Sequence, residues 1–276
     1  MICEKCGREK GPNLVCQCEL NEIRSKYDKA NRGMMNIFTS SYMMLLLLVM
    51  VLHVFMVLLS SLIIGDGTGD TSLLSAIISV IPNIVLLEGY ASLYMESRKG
   101  IIPMKTTGFT IIKGYNTVVS VLLALALIVI SFSTIAVILY DNEQEFISIV
   151  KETLGDQYTA MGLDAYENIL YELTIVGCII LIVVLALSLA MSVKMVSAME
   201  NIRSVARGNG YGDVSMFLII MLFAVAGFSI ISAISDIILG DIFTCTISIF
   251  SATIDILTGI ILLKVRSVIN EAMEIS

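Results

Sequence analysis

The sequence predicts an all-α membrane protein, a six-transmembrane-helix bundle preceded by a small cysteine-rich head. Three observations predict it. The 276 residues are 57% hydrophobic and only 15% charged, with a mean hydropathy of +0.91, whereas about a quarter of a soluble domain is charged. The apolar residues gather in runs long enough to cross about 30 Å of hydrocarbon as helices. The charged residues between these runs are sorted by sign from one loop to the next.

In chain order, residues 1–18 carry four of the six cysteines, and 19–36 form a polar cytoplasmic linker, partly helical, with Glu19, Glu22, Arg24, Lys26, Asp28, Lys29 and Arg32. Apolar runs follow at about 37–64, 71–95, 116–140, 173–197, 214–236 and 242–264, and 265–276 is a short tail. No short apolar core with a small-residue cleavage site precedes the first run, which is expected to be retained as a span. That run is long enough to tilt or to extend beyond the lipid. Pro82 should kink the second span without ending it, because neighbouring helices can satisfy the carbonyl it frees. Residues 101–115 mix Ile101, Ile102, Phe109, Ile111 and Ile112 with Lys105 and Lys113, so either the third span begins earlier than 116 or an interfacial helix lies on the membrane there.

Charge sets the orientation. Six spans with an inside N-terminus put 1–36, 96–115, 198–213 and 265–276 in the cytoplasm. Counting Lys194 and Lys264, which can snorkel inward from helix ends, every lysine and arginine except Lys151 lies on that side. The outer loop 141–172 is acidic instead, with Asp141, Glu143, Glu145, Glu152, Asp156, Asp164, Glu167 and Glu172. This is the positive-inside bias. The outer loop is long enough for a small helical cap, with Tyr158, Met161, Leu163 and Tyr166 as its apolar face. The net charge of -7 says little once the charges are sorted by segment. There is no basic domain for nucleic acid, so the expected surroundings are the lipid bilayer and a membrane or cytoplasmic protein partner. The inner edges after spans two, four and six read alike, around Glu96–Arg98, Glu200–Arg203 and Lys264–Arg266. A threefold hairpin repeat would give that likeness, and so would the common need for basic inner helix ends.

The head reads Cys3-Glu-Lys-Cys6-Gly7, then Cys16-Gln-Cys18. Four thiolates in two close pairs meet the needs of a tetrahedral structural zinc site, and Gly7 stands where a tight knuckle takes positive φ. Cys3, Cys6, Cys16 and Cys18 are therefore the candidate ligands of one structural zinc ion. A redox-active dithiol is the competing reading. A disulfide staple conflicts with a reducing cytoplasm. Four thiolates leave no open coordination position, which argues against a catalytic metal. So short a head cannot bury a core and should need the metal to order it. Cys178 and Cys245 lie in apolar runs and read as buried small side chains.

The head resembles the short zinc-ribbon heads found at the N-terminus of many poorly characterised multi-pass bacterial membrane proteins. The resemblance covers residues 3–18; Cys3-x-x-Cys6-Gly7 matches the ribbon knuckle, and Cys16-x-Cys18 is one residue shorter than the usual second knuckle. It implies a zinc-ribbon-like, structural or protein-binding module, and a bacterial plasma membrane as the location.

Away from the span ends, His53, Glu88 and Asp255 are ionisable residues inside the spans, and such residues are functional candidates. They could relay protons or bind an ion, or each could make an interhelical hydrogen bond that holds the bundle together. The Gly65–Asp70 turn has acidic and glycine residues but lacks the length and closing glutamate of a calcium loop. The Arg207–Asp213 segment has glycines without the lysine or preceding strand of a nucleotide loop, and reads as a pliable cytoplasmic linker. Small-residue pairs (Ala186/Ala190, Ser188/Ser192, Ser229/Ala233) suggest close helix contacts. No serine–histidine–acid set and no HExxH motif is present, so nothing in the sequence supports an enzyme. Two functions remain: a regulatory or scaffold protein whose cytoplasmic zinc head docks a partner, and a small-solute or ion transporter component using Asp255 and Glu88.

Overall fold

A computed structural model of the chain describes residues 6–7, 16–64, 71–139, 143–209 and 212–274. Among these, every regular element is helical: α1 (Gln17–Phe38), α2 (Ser41–Ile64), α3 (Thr71–Arg98), α4 (Thr107–Ile138), α5 (Glu143–Leu154), α6 (Asp156–Ala160), a 3₁₀ segment (Leu163–Ile169), α7 (Leu170–Ala206), α8 (Met216–Leu239) and α9 (Ile242–Glu274). Six of them, α2, α3, α4, α7, α8 and α9, are long and apolar enough to cross a membrane. This is the all-α, six-span architecture that the hydropathy runs predict. Pro82 lies inside α3 without ending it. The turn at Gly65–Asp70 lies outside the described residues.

The helices form two compact units, Met1–Asn116 with Lys194–Ser276, and Thr117–Val193. In the first, α1 is one continuous helix where a partly helical linker is expected. Its second half is buried, at Ala30, Asn31, Met34, Met35, Ile37 and Phe38. Thr39 ends it, giving both its backbone N–H and its hydroxyl to the Met35 carbonyl at 2.9 Å. Ile37 and Phe38, which read as the start of the first apolar run, therefore close α1, and the apolar helix α2 begins after the turn, at Ser41. Gly33 lets α1 approach α9: a Cβ there would stand 2.4 Å from Val268 Cγ1. Lys29 reaches Glu271 at 3.8 Å, and the Lys264 ammonium sits 4.0 Å from the centre of the Tyr42 ring. These contacts fix α1 and the last turns of α9 at one end of the unit, called here the terminal end.

The densest packing of this unit is at that end. Met34, Leu93, Phe109, Ile112, Ile202 and Ile269 are all fully buried. A physical reason is available: helix ends beyond the hydrocarbon meet water, where apolar burial is strongly favoured, while outward faces within lipid need no cover. Of the two readings of 101–115, the structure shows the earlier start of the third apolar helix and not an interfacial helix. Residues 101–106 are non-helical and α4 starts at Thr107. Phe109 meets Phe38 edge-on with centroids 5.6 Å apart, and a Cβ on Gly108 would lie 2.5 Å from the Gly89 carbonyl oxygen. Phe109 and Ile112 of this stretch are buried against protein, whereas Ile101 is exposed.

The Arg207–Asp213 segment is hydrogen-bonded to the flanking helices where it is described. The Asn209 N–H donates to the Ser204 carbonyl at 2.9 Å, and the Ser204 hydroxyl donates to the Asn209 carbonyl. Asn201 Nδ2 donates to the Asp213 carbonyl at 2.8 Å, and Arg266 Nε stands 3.3 Å from Asp213 Oδ1. Polar side chains on the flanking helices supply what the loop composition alone does not reveal.

Between α8 and α9, Gly240 takes the left-handed conformation (φ 77°). Thr244 then donates its hydroxyl and backbone N–H to Asp241, at 2.7 and 3.0 Å, which holds the Asp241 carboxyl below its usual range.

In the second unit, the Ser120 hydroxyl donates to Ser192 at 3.0 Å and the Tyr171 hydroxyl donates to the Val137 carbonyl at 3.1 Å. The α5 helix has Glu143 and Glu145 in its first turn and Lys151 in its last, each matching the helix dipole. Its Ile147 is buried, and the adjacent Phe146 meets Tyr171 edge-on at 5.5 Å. The acidic loop is thus helical, but its apolar face differs from the expected one. Tyr158 is buried, whereas Met161 and Tyr166 are 64% and 54% exposed.

Candidate metal centre and intramembrane residues

Cys16 is the residue that opens α1. Its backbone is extended (φ -85°, ψ 150°) and its N–H donates to Glu19 Oε2 at 3.2 Å, so a glutamate three residues on closes the helix start back onto the cysteine. A thiol at a helix N-terminus sits in the positive end of the dipole, which favours thiolate. Cys18 is in the first turn, and Cys6 comes from the preceding knuckle, where Gly7 has φ +67°. That positive φ is what the tight turn after the first cysteine pair requires.

The three sulfurs form a nearly equilateral triangle. Cys6 and Cys16 Sγ are 3.2 Å apart, Cys16 and Cys18 3.3 Å, and Cys6 and Cys18 3.4 Å. Zinc–sulfur bonds of about 2.3 Å in a tetrahedron place neighbouring sulfurs about 3.8 Å apart. The triangle is therefore slightly tighter than a loaded site and opens by only a few tenths of an ångström to hold an ion. Cys16 is buried, Cys18 half-buried and Cys6 exposed. These residues fit a metal: three soft donors converge from two chain segments, with their sulfurs on one small face. Cys3, the fourth expected ligand, lies outside the described residues.

No protein-family model, no characterised protein and no solved structure matches the chain. The function must be argued from its own residues.

Asn31 connects the cysteine-bearing helix to the first unit, and it carries no signal in the sequence. It is buried on α1, and its Nδ2 donates to the Tyr27 carbonyl at 3.0 Å and to the Ala206 carbonyl, at the end of α7, at 3.2 Å. Its Oδ1 accepts the Met104 N–H at 3.2 Å. One side chain thus ties α1, the 101–106 segment and α7 together. An asparagine within a charged stretch reads as surface, and only the fold reveals its three partners.

The three intramembrane candidates have different surroundings. His53, on α2, is only 8% exposed, and its Nδ1 has no hydrogen-bond partner among the described residues. Glu88, on α3, is exposed, while Gly89 and Tyr90 beside it turn inward. Asp255, on α9, is half-buried, close enough to act electrostatically on the Tyr90 phenol, which hydrogen-bonds with the Thr258 side chain. Tyr90 and Thr258 extend the polar surroundings of Asp255, and a lone tyrosine and threonine in apolar runs gave no prior reason to single them out.

Proposed function

We propose that this chain is a multi-pass plasma-membrane regulatory or scaffold protein, with both termini cytoplasmic, whose zinc-stabilised head docks a protein partner. The observation that carries the reading is mechanical. The three converging thiols sit at the start of α1, and the other half of the same helix is locked into the packed core through Gly33, Asn31 and Phe38. A metal-organised head on a rigid stalk transmits a docking event to the spans. Zinc would be held by Cys6, Cys16 and Cys18, with Cys3 as the fourth ligand, and would supply structure rather than reactivity.

Exposed apolar residues beside the cluster support docking. Leu20 and Ile23 are 47% and 48% exposed. They border a groove of about 620 Å³ that Arg24, Arg32, Ile102 and Arg207 also line. Apolar area rimmed by arginine is the composition of a protein-binding surface. The cytoplasmic placement rests on the positive-inside distribution of lysine and arginine.

The test is purification in mild detergent from native membranes, with mass spectrometry of co-purifying proteins, for the full-length chain and for a form lacking residues 1–18. A stoichiometric partner lost with the head is the expected result. Absence of a partner with either form would sink this reading.

A second reading, a small-solute or ion transporter component, is favoured by one observation: Asp255 is half-buried and close enough to act electrostatically on the Tyr90 phenol. Glu88, directed outward, is poorly placed to share that site. Loss of solute flux in Asp255→Asn, with the fold intact, is the result this second reading requires.

A further inference from the structure

Between α1 and the segment that follows α3 lies a cleft of about 420 Å³. Arg32, Met35, Asn36 and Thr39 line it from α1, with Ser97 and Ile102 on the other wall. Among the described residues that line it, Arg32 is the one charged group. The Thr39 and Ser97 hydroxyls are committed, to the Met35 carbonyl at 2.9 Å and to Met104 Sδ at 3.2 Å. Arg32 and Asn36 are exposed, and neither side chain has a partner among the described residues. Asp28, one turn before Arg32, borders the neighbouring groove and not this cleft. The cleft therefore offers a free guanidinium and a free amide, with no carboxylate to compete for them.

Depth identifies what reaches it. The Lys264 ammonium lies over the Tyr42 ring, where the apolar run of α9 ends and α2 begins, and basic and aromatic side chains together mark the edge of the hydrocarbon. From that level α1 runs back along α9: Gly33, adjacent to Arg32, packs against Val268. Val268 is four residues past Lys264, about 6 Å at 1.5 Å per residue. The headgroup layer on each side of a bilayer is about 5–8 Å deep. With α9 crossing the membrane, Arg32 stands at the level of the lipid phosphates.

A phosphate pairs with a guanidinium through two parallel N–H donors. A zwitterionic headgroup would also bring an ammonium, and the cleft has no carboxylate to receive it. Arg98 and Lys99, at the end of α3, are exposed beside the cleft and add positive charge. Basic pockets at this level of a membrane protein suit anionic headgroups.

We propose that this cleft binds one anionic phospholipid, its phosphate held by the Arg32 guanidinium and the Asn36 amide and its glycerol end against Ile102. The binding does not depend on the docking function proposed above; only its assignment to the inner leaflet follows from the orientation proposed there.

The test is native mass spectrometry of the full-length chain in mild detergent, titrated with phosphatidylglycerol or phosphatidylcholine, with melting temperatures read on the same samples. The wild type is expected to hold one phosphatidylglycerol per chain and to melt higher with it, and to do neither with phosphatidylcholine. Arg32→Gln should weaken binding about tenfold, the effect of losing one charged hydrogen-bonding partner. Asn36→Asp, which sets a carboxylate in the cleft, should weaken it as well and serves if Arg32→Gln does not fold. Lys99→Gln removes the same charge from a residue that does not line the cleft and should bind like the wild type. Excess inorganic phosphate should leave the lipid in place; its displacement would assign the site to a soluble phosphate and overturn the lipid. Equal binding of the two lipids, binding unchanged in both cleft variants, or a loss in Lys99→Gln as large as in Arg32→Gln also overturns it.

Discussion

Asn31 and Ala206, 175 positions apart in sequence, are joined by a buried hydrogen bond from Asn31 Nδ2 to the Ala206 carbonyl. The same side chain accepts the Met104 N–H. Replacing it with leucine leaves a buried N–H and a buried carbonyl without partners, and each such group costs about 1–3 kcal/mol. Asn31→Leu is therefore expected to lower thermal stability in detergent clearly. Asn31→Asp, which keeps the acceptor for Met104 and loses the donor, should fall between. A melting temperature unchanged in both would show that water reaches this junction.

Zinc should bind with a stoichiometry of one per chain, measurable by elemental analysis of protein purified without added metal. Cys6→Ser, Cys16→Ser and Cys18→Ser should each remove most of it, because a three-thiolate residue of the site holds the ion far less tightly than four. Chelation should raise amide exchange around Gln17–Leu20 and leave Met34–Phe38 protected, since the latter are held by the core. Retained zinc in all three variants would refute the assignment of these ligands.

The contact of Gly33 with Val268 gives a paired prediction. Any side chain at Gly33 collides with Val268, and overpacking of this kind costs about 1–3 kcal/mol. Gly33→Ala should destabilise, and Val268→Ala in the same chain should restore part of the loss. Their non-additivity, read from a double-mutant cycle of melting temperatures, reports the contact directly.

The six spans were legible because lipid imposes one strong rule, a long apolar run for every crossing, and the sequence obeys it in each span. The terminal-end core was less legible. Its residues, such as Met34, Phe109 and Ile202, stand among charges in segments that look like linkers, so hydropathy averaged over a window hides them. The helices also outrun the apolar runs, α9 continuing to Glu274 and α7 to Ala206 as amphipathic turns whose buried faces carry Ile202 and Ile269. At the head, the cysteine spacing announced a metal site, and the described thiols converge accordingly, while the role of Glu19 in closing the helix start needed coordinates. Within the spans the sequence named His53, Glu88 and Asp255 but not which way each points, because a helix in lipid is apolar on every face and periodicity carries no direction.

Asp255 separates the structural use of an intramembrane carboxyl from a transport use. If it serves the bundle by pairing across helices with the Tyr90 and Thr258 neighbourhood, an amide can take its place. Asp255→Asn should then melt within a few degrees of the wild type, whereas Asp255→Leu should lose about 0.6–1.7 kcal/mol, the range measured for polar contacts between membrane helices. Both variants should still recover the partner that binds through the head, because that surface lies on α1. The measurements are melting in detergent and partner recovery, made on the same preparations. Partner recovery lost in Asp255→Asn with its melting temperature preserved would mean that the carboxylate itself, and not its hydrogen bond, is needed for docking, whereas solute flux lost with partner recovery intact would give the transport reading precedence.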